Sequence, residues 1–168
     1  MLNTVLLFIF PAAMALAAGL DFFTMTIPNR VSIGFAALFF PAALMAGFPL
    51  IEVGMHVTAA LAMLAIGFAF FSFGWIGGGD AKFFAATALW LGWDILLTYA
   101  LTFSILGAVL TVAIVLARGL PLPATLIRSD WAMRLHSSKS GIPYGIALAC
   151  AGLIIYPTTV WMATFGAG

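Results

Sequence analysis

The chain has 168 residues, 65% of them hydrophobic and 7% charged, and a mean hydropathy of +1.22; soluble domains carry roughly 25% charged residues, so a water-facing surface is excluded and an all-α integral membrane protein is expected. A net charge of +1 leaves no basic face to neutralise phosphates and excludes a nucleic-acid partner. The single cysteine, Cys150, excludes an internal disulfide and a thiolate zinc site.

A spanning helix needs about 20 apolar residues. The first such stretch runs from about Asn3 to Leu20 and stops at Asp21. Ala15-Leu16-Ala17 resembles a signal-peptide cleavage site, but Met1 to Thr4 carry no Lys or Arg, so this stretch is expected to be a permanent span. Pro28 disfavours a helical Ile27, and Asn29 is expected to cap the helix that follows.

The second span is expected from about Val31 to Phe48 and the third from about Met55 to Ile76, where Gly77-Gly78-Gly79 closes it. The apolar stretch after Lys82 reaches Ala117 with Asp94 as its one charged interruption. That is too long for one helix and short for two full ones. A short fourth helix from about Gly79 to Trp93, a turn capped by Asp94, and a fifth helix from Ile95 to Ala117 fit it.

Residues 118–140 form the one extended polar segment, in which Trp131, Leu126, Ile127 and Leu135 suggest an interfacial amphipathic helix. The sixth span opens at Gly141-Ile142-Pro143-Tyr144-Gly145 and runs to about Phe165. Pro143 is tolerated there because first-turn amides have no intrahelical partner. The expected architecture is thus a polytopic bundle of about six transmembrane helices with a short fourth, forming one domain over 1–168.

Charge tests that topology. Arg30, Lys82, Arg118, Arg128, Arg134 and Lys139, all the Lys and Arg of the chain, fall on one side, while the loops near Glu52 and Asp94 have none. The positive-inside rule makes the basic side cytoplasmic and places both termini outside. His56 and His136 lack metal-ligand spacing and read as interfacial polar residues, and Cys150 reads as a small packing residue. No metal and no cofactor is expected.

Two acids stand out. A charge deep in a bilayer costs about 2.5–3.5 kcal/mol on insertion scales and is usually functional. Asp21 and Asp80 fall at similar depth on the same side, though far apart in sequence. Two carboxyls brought close share a proton and titrate as a pair, and such a pair can activate a water against a peptide carbonyl near neutral pH. Gly77, Gly78 and Gly79 would let a substrate backbone approach. Lys82, two positions beyond Asp80, points elsewhere on a helix and is expected at the headgroups or against a substrate acid.

Each feature also has a plainer reading. Asp21 could be a surface acid where a helix emerges, and the glycines packing residues. Pro28-Asn29 could be an ordinary turn and cap, and Pro143-Tyr144 a helix start with an interfacial tyrosine.

Taken together, Asp21-x5-Ile27-Pro28-Asn29, Gly77-Gly78-Gly79-Asp80-Ala81-Lys82 and Gly141-Ile142-Pro143-Tyr144-Gly145 resemble the type IV prepilin peptidases, most of all the short branch serving tight-adherence (Flp-type) pili. The Gly-x-Gly-Asp element is shared with presenilin and signal peptide peptidase. The resemblance implies an aspartic endopeptidase of the bacterial inner membrane with Asp21 and Asp80 as its catalytic pair. Pro28, Asn29, Gly77, Gly78, Gly79, Lys82, Pro143 and Tyr144 would bind substrate or support the motifs. Its substrate would be a prepilin-like protein, cut at the cytoplasmic face after a glycine and just before an apolar helix, with pilus assembly machinery as a further partner. A glutamate after the cut would meet Lys82 or Arg30.

The sequence also departs from that pattern. Phe22 to Thr26 lack the basic residues many relatives have, and the large cytoplasmic insertion with paired Cys-x-x-Cys motifs is absent. N-methylation is therefore not expected. Two other readings stay open: a proton- or cation-translocating protein using the two acids, and a non-catalytic pilus-assembly factor.

Overall fold

The computed structural model describes residues 2–123 and 125–166. Its elements are α1 (Leu2–Thr24), α2 (Asn29–Met45), α3 (Leu50–Ser72), α4 (Gly78–Arg118), α5 (Asp130–His136), α6 (Tyr144–Ile155), a 3₁₀ turn at Tyr156–Thr158 and α7 (Val160–Phe165). There is no strand among the described residues. Three helices, α1, α3 and α4, are long and apolar enough to cross a membrane, and α2 and α6 are shorter apolar helices. Large apolar side chains such as Leu44, Leu50, Leu97 and Leu116 cover the outside. The chain is an all-helical polytopic membrane protein.

The 41-residue α4 is two helices folded back on each other. Gly92 breaks it at φ 67°, ψ 179°, a conformation that side-chain-bearing residues rarely adopt. In an unbroken helix Phe84 and Tyr99 would lie about 22 Å apart. Instead their rings stack at 5.2 Å, and Phe103 reaches the same Phe84 at 5.8 Å. The arms 78–91 and 93–118 correspond to the expected short fourth and full fifth helices. The turn between them is made by Gly92 and not by a capping Asp94.

The bend frees backbone carbonyls that lipid cannot satisfy. Two are taken by side chains from other helices: His56 Nδ1 donates to Leu89 O at 2.7 Å, and Trp161 Nε1 donates to Trp90 O at 2.7 Å. His56 is therefore buried against Phe39 and Phe48 instead of lying at the interface. A Cβ on Gly92 would meet the His56 ring at 2.8 Å, so ring and glycine fit only each other.

Helices in lipid gain little from the hydrophobic effect between themselves and rely on close packing and hydrogen bonds. An aromatic core supplies both. Trp90 stacks on Phe35 at 5.1 Å and its Nε1 donates to Phe35 O at 2.9 Å. Phe10 stacks on Tyr156 at 4.8 Å, whose hydroxyl donates to Leu7 O at 2.7 Å. Tyr99 donates to Leu148 O at 3.2 Å.

Several boundaries differ from the sequence expectation. Helix α1 continues through Asp21 to Thr24, α2 ends at Met45, and α3 runs from Leu50 to Ser72. The sixth span does not run unbroken to Phe165. Pro157 has no amide to continue the ladder, and Thr159 is extended at φ −80°, ψ 156°. The hydroxyls of Thr158 and Thr159 donate to Ile155 O and Tyr156 O at 2.8 and 2.7 Å, taking carbonyls at the break. The helix in the polar segment is short, seven residues at Asp130–His136, and Cys150 points outward instead of packing inside.

Candidate active site

Asp21 lies in the last turn of α1 and is 3% exposed. Its Oδ2 accepts the backbone N–H of Gly145, at the start of α6, at 2.6 Å. Thr24 donates to Leu20 O at 2.7 Å, and Met25 leaves the helix in the left-handed region at φ 56°. This turn drops Ile27 into the interior, where it is 4% exposed. Pro28 then occupies the position before α2, extended at φ −63°, ψ 143°.

Asn29 does not cap α2. It is the first residue of that helix, and no side-chain cap is formed. Its Oδ1 instead accepts from Lys82 Nζ at 2.9 Å. Lys82 thus turns away from Asp80, as its spacing required, but toward a neighbouring helix.

The second acid sits in the first turn of α4. Gly77 is extended at φ −71°, ψ 143°, and a Cβ there would lie 3.0 Å from Asp80 Oδ2. Gly78 faces the Phe71 ring, where a Cβ would stand 3.3 Å away. Gly79 makes the tightest fit of the run: a Cβ would fall 2.9 Å from Ile27 O. Its bare backbone therefore lets the start of α4 touch the chain just after α1. On the far side Gly67 of α3 does the same for Ala81, with a would-be contact of 3.0 Å.

These approaches bring the two acids together. Asp21 and Asp80 line one cavity of about 200 Å³, with Met25, Thr26, Ile27 and Asn29 on one side and Gly77, Gly78 and Gly79 on the other. Asp80 also closes one end of a second, apolar cavity of about 200 Å³, lined in part by Met63, Phe70, Phe84, Phe103 and Tyr144.

Tyr144 is half-buried at the start of α6. It lines that second cavity, its ring covers Gly107, and its hydroxyl is 3.0 Å from Thr111 Oγ1. Pro143 is fully buried at the start of α6.

Residues the sequence reading left out complete the arrangement. Gly145 supplies the amide to Asp21, and a Cβ on it would stand 2.8 Å from Asp21 Oδ2 and 2.9 Å from Ile27 Cδ1. Both Gly145 and Ile27 lie inside motifs visible in the sequence; the glycine repeating after Pro143-Tyr144 was the available signal. The polar segment straps this end of the molecule. Arg134 Nη2 donates to Phe23 O at 2.8 Å, Trp131 packs on Phe22 at 4.9 Å, and Arg118 Nη2 donates to Gly141 O at 2.9 Å. Among the described residues no group of three or more His, Cys, Asp or Glu side chains is placed to hold a metal ion.

Fold and cavity together define a class: a polytopic helical membrane protein that places two acids, from helices distant in sequence, in one small cavity. Residues 8–112 match the model of the type IV leader peptidase family, and the chain belongs to that family. It is a leader-peptidase-type protease whose family acts on prepilin-like substrates. The match takes in both acids and the glycine run; Pro143, Tyr144 and Gly145 lie beyond it. No curated protein and no solved structure matches the chain significantly.

Proposed function

We propose that residues 1–168 form one transmembrane peptidase domain, an aspartic endopeptidase that removes the leader of type IV prepilin-like proteins with Asp21 and Asp80 as its catalytic pair. The observation that carries this is the shared cavity, in which the two carboxyls face one space beside three glycines. That α6 must supply Gly145 to Asp21 supports a single functional unit reaching beyond the matched residues.

The chemistry follows from a pair that holds one proton. The ionised carboxyl takes a proton from a water as that water's oxygen attacks the scissile carbonyl. The other carboxyl gives its proton to the carbonyl oxygen, yielding a gem-diol. A proton then passes from the protonated carboxyl to the amide nitrogen while the ionised carboxyl takes one from a gem-diol hydroxyl, the C–N bond breaks, and the products leave as acid and amine with the pair again holding one proton. Gly145 N–H occupies Asp21 Oδ2, which leaves Oδ1 for the water. Gly77, Gly78 and Gly79 let the substrate backbone lie within reach of both acids. Pro28 and Asn29 hold the opposite wall, Lys82 fixes Asn29, and Pro143 and Tyr144 set the start of α6.

The active face is proposed to be cytoplasmic, in the inner membrane of a bacterium, with both termini outside. Support comes from charge: Lys82, Arg118 and Arg134 are bonded at the same end of the bundle as the two acids, where the positive-inside rule places the cytoplasm. With one cysteine in the chain, paired Cys-x-x-Cys motifs cannot form, and no methyl transfer is assigned.

The test is co-expression with a prepilin-like substrate, following leader loss on a gel. Asp21→Asn and Asp80→Asn keep size and polarity but cannot cycle a proton, so either alone should abolish cleavage. Undiminished cleavage by both variants would overturn the assignment.

A further inference from the structure

A second site lies on the other side of α4 from the apolar cavity that Asp80 closes. Helices α2 and α3 follow one another in the chain and meet where Phe39 stacks on His56, but their backbones stay apart elsewhere. Between them lies a cleft of about 210 Å³, walled by Ile33 and Leu61, floored by Ala86 and Leu89, and bordered by Ser32 and Lys82. Ile33 and Leu61 are themselves exposed on the apolar outer face, so the cleft opens sideways toward lipid.

Its polar end is unsatisfied. Ser32 is 4% exposed and its Oγ has no hydrogen-bond partner, which is costly for a buried hydroxyl. Asn29 and Ser32 are three residues apart on one face of α2. Lys82 Nζ reaches Asn29 Oδ1 at 2.9 Å; that amide oxygen is neutral, and an ammonium has two further protons to donate. A hydroxyl and a cation at the head of an apolar cleft call for a ligand with anionic oxygens at one end and hydrocarbon at the other.

We propose that this cleft binds an anionic phospholipid, its phosphate accepting from Lys82 Nζ and Ser32 Oγ and an acyl chain lying between α2 and α3. One cation matches one phosphate charge. A zwitterionic lipid carries its own ammonium to compete for that phosphate, so the anionic headgroup is selected. The cleft does not take in Asp80, and its walls face lipid, which favours a membrane lipid over the peptide that must reach the acids. Because Asn29 also lines the cavity of the two acids, the bound phosphate would brace the start of α2 against α4 at the rim of that cavity.

The test reads bound lipid and not proteolysis, so its failure leaves the peptidase assignment untouched. The full chain is placed in phosphatidylcholine vesicles containing a minor share of phosphatidylglycerol, re-extracted in mild detergent, and its retained lipid measured by native mass spectrometry. Wild type should retain phosphatidylglycerol in preference to phosphatidylcholine. Loss of one charge-assisted or hydroxyl contact should lower that retention about tenfold in Lys82→Gln and measurably in Ser32→Ala. Leu61→Trp, filling the cleft from its exposed wall, should lower it as well, while Lys82→Arg should keep it. Ser32→Ala is nearly isosteric and reads the site even if Lys82→Gln folds poorly. Equal retention of both lipids by wild type, or unchanged retention in Lys82→Gln and Ser32→Ala, would overturn the proposal. So would displacement of the lipid by inorganic phosphate or by a short acidic peptide at low concentration, which would make this an anion or peptide site.

Discussion

Gly145 and Asp21 are locked face to face: the glycine amide donates to Oδ2 at 2.6 Å, and any Cβ on the glycine would stand 2.8 Å from the same oxygen. Gly145→Ala must therefore displace the carboxyl it orients. Overpacking of this kind costs about 1–3 kcal/mol, and misplacing a reacting group by an ångström can cost about a hundredfold in rate. The expected result is a folded, less stable protein whose leader cleavage falls at least tenfold further than its folded fraction. Thermal unfolding in detergent beside a cleavage time course measures both. Cleavage at the wild-type rate would show that the amide does not position Asp21.

Gly79 sets the distance between the two acid-bearing segments. Its would-be Cβ falls 2.9 Å from Ile27 O, a backbone atom that cannot swing aside. Gly79→Ala should push α4 away from Ile27 and lower cleavage strongly, and Gly79→Val should do worse. Gly19 and Gly54 offer a contrast within the same molecule, since nothing lies within 4 Å of a Cβ at either. Alanine at those helical positions should be neutral or stabilising by about 0.5–1 kcal/mol. Equal effects at Gly79 and Gly19 would remove the close-approach argument.

The bend at Gly92 is a matter of stability and not of chemistry. Its φ of 67° and the His56 ring at 2.8 Å both oppose a side chain. Gly92→Ala and His56→Phe should each destabilise the fold, the latter by about 1–3 kcal/mol because Leu89 O loses its donor in a water-poor interior. Residual activity should follow the folded fraction. A cleavage defect without a stability defect in His56→Phe would place this bend in the reaction.

The two acids were legible because each costs free energy in an otherwise apolar stretch, and the basic residues were legible because charge stays at one end. What hydropathy could not register was dihedral detail. Asp94 looked like the turn residue because it is polar, yet Gly92 can take a positive φ and Asp94 did not need to. Nor does hydropathy show pairing: Asn29 has the chemistry of a helix cap, but α2 begins at Asn29 itself, which frees its side chain for Lys82. His56 looked interfacial because a polar ring in an apolar run usually seeks water, and the carbonyl that holds it belongs to a helix 33 residues away. The break after Ile155 had a sign in Pro157 that the expected run to Phe165 passed over, and the two threonine hydroxyls that make it tolerable were legible only in three dimensions.

The pH dependence of cleavage tests the pair as a pair. The working form holds one proton on two carboxyls. Below the lower of the pair's two macroscopic constants both carboxyls are protonated and no base is left to take a proton from water. Above the upper constant both are ionised and no acid is left for the carbonyl oxygen. The profile of kcat/KM in the detergent-solubilised protein should therefore be bell-shaped, with one proton lost on each limb. Each limb belongs to the pair, so neither can be assigned to Asp21 or Asp80 alone. A profile with a single limb across the range in which the protein stays folded would mean that one carboxyl does not change its protonation during turnover, and the shared-proton mechanism would fail even if both aspartates proved essential.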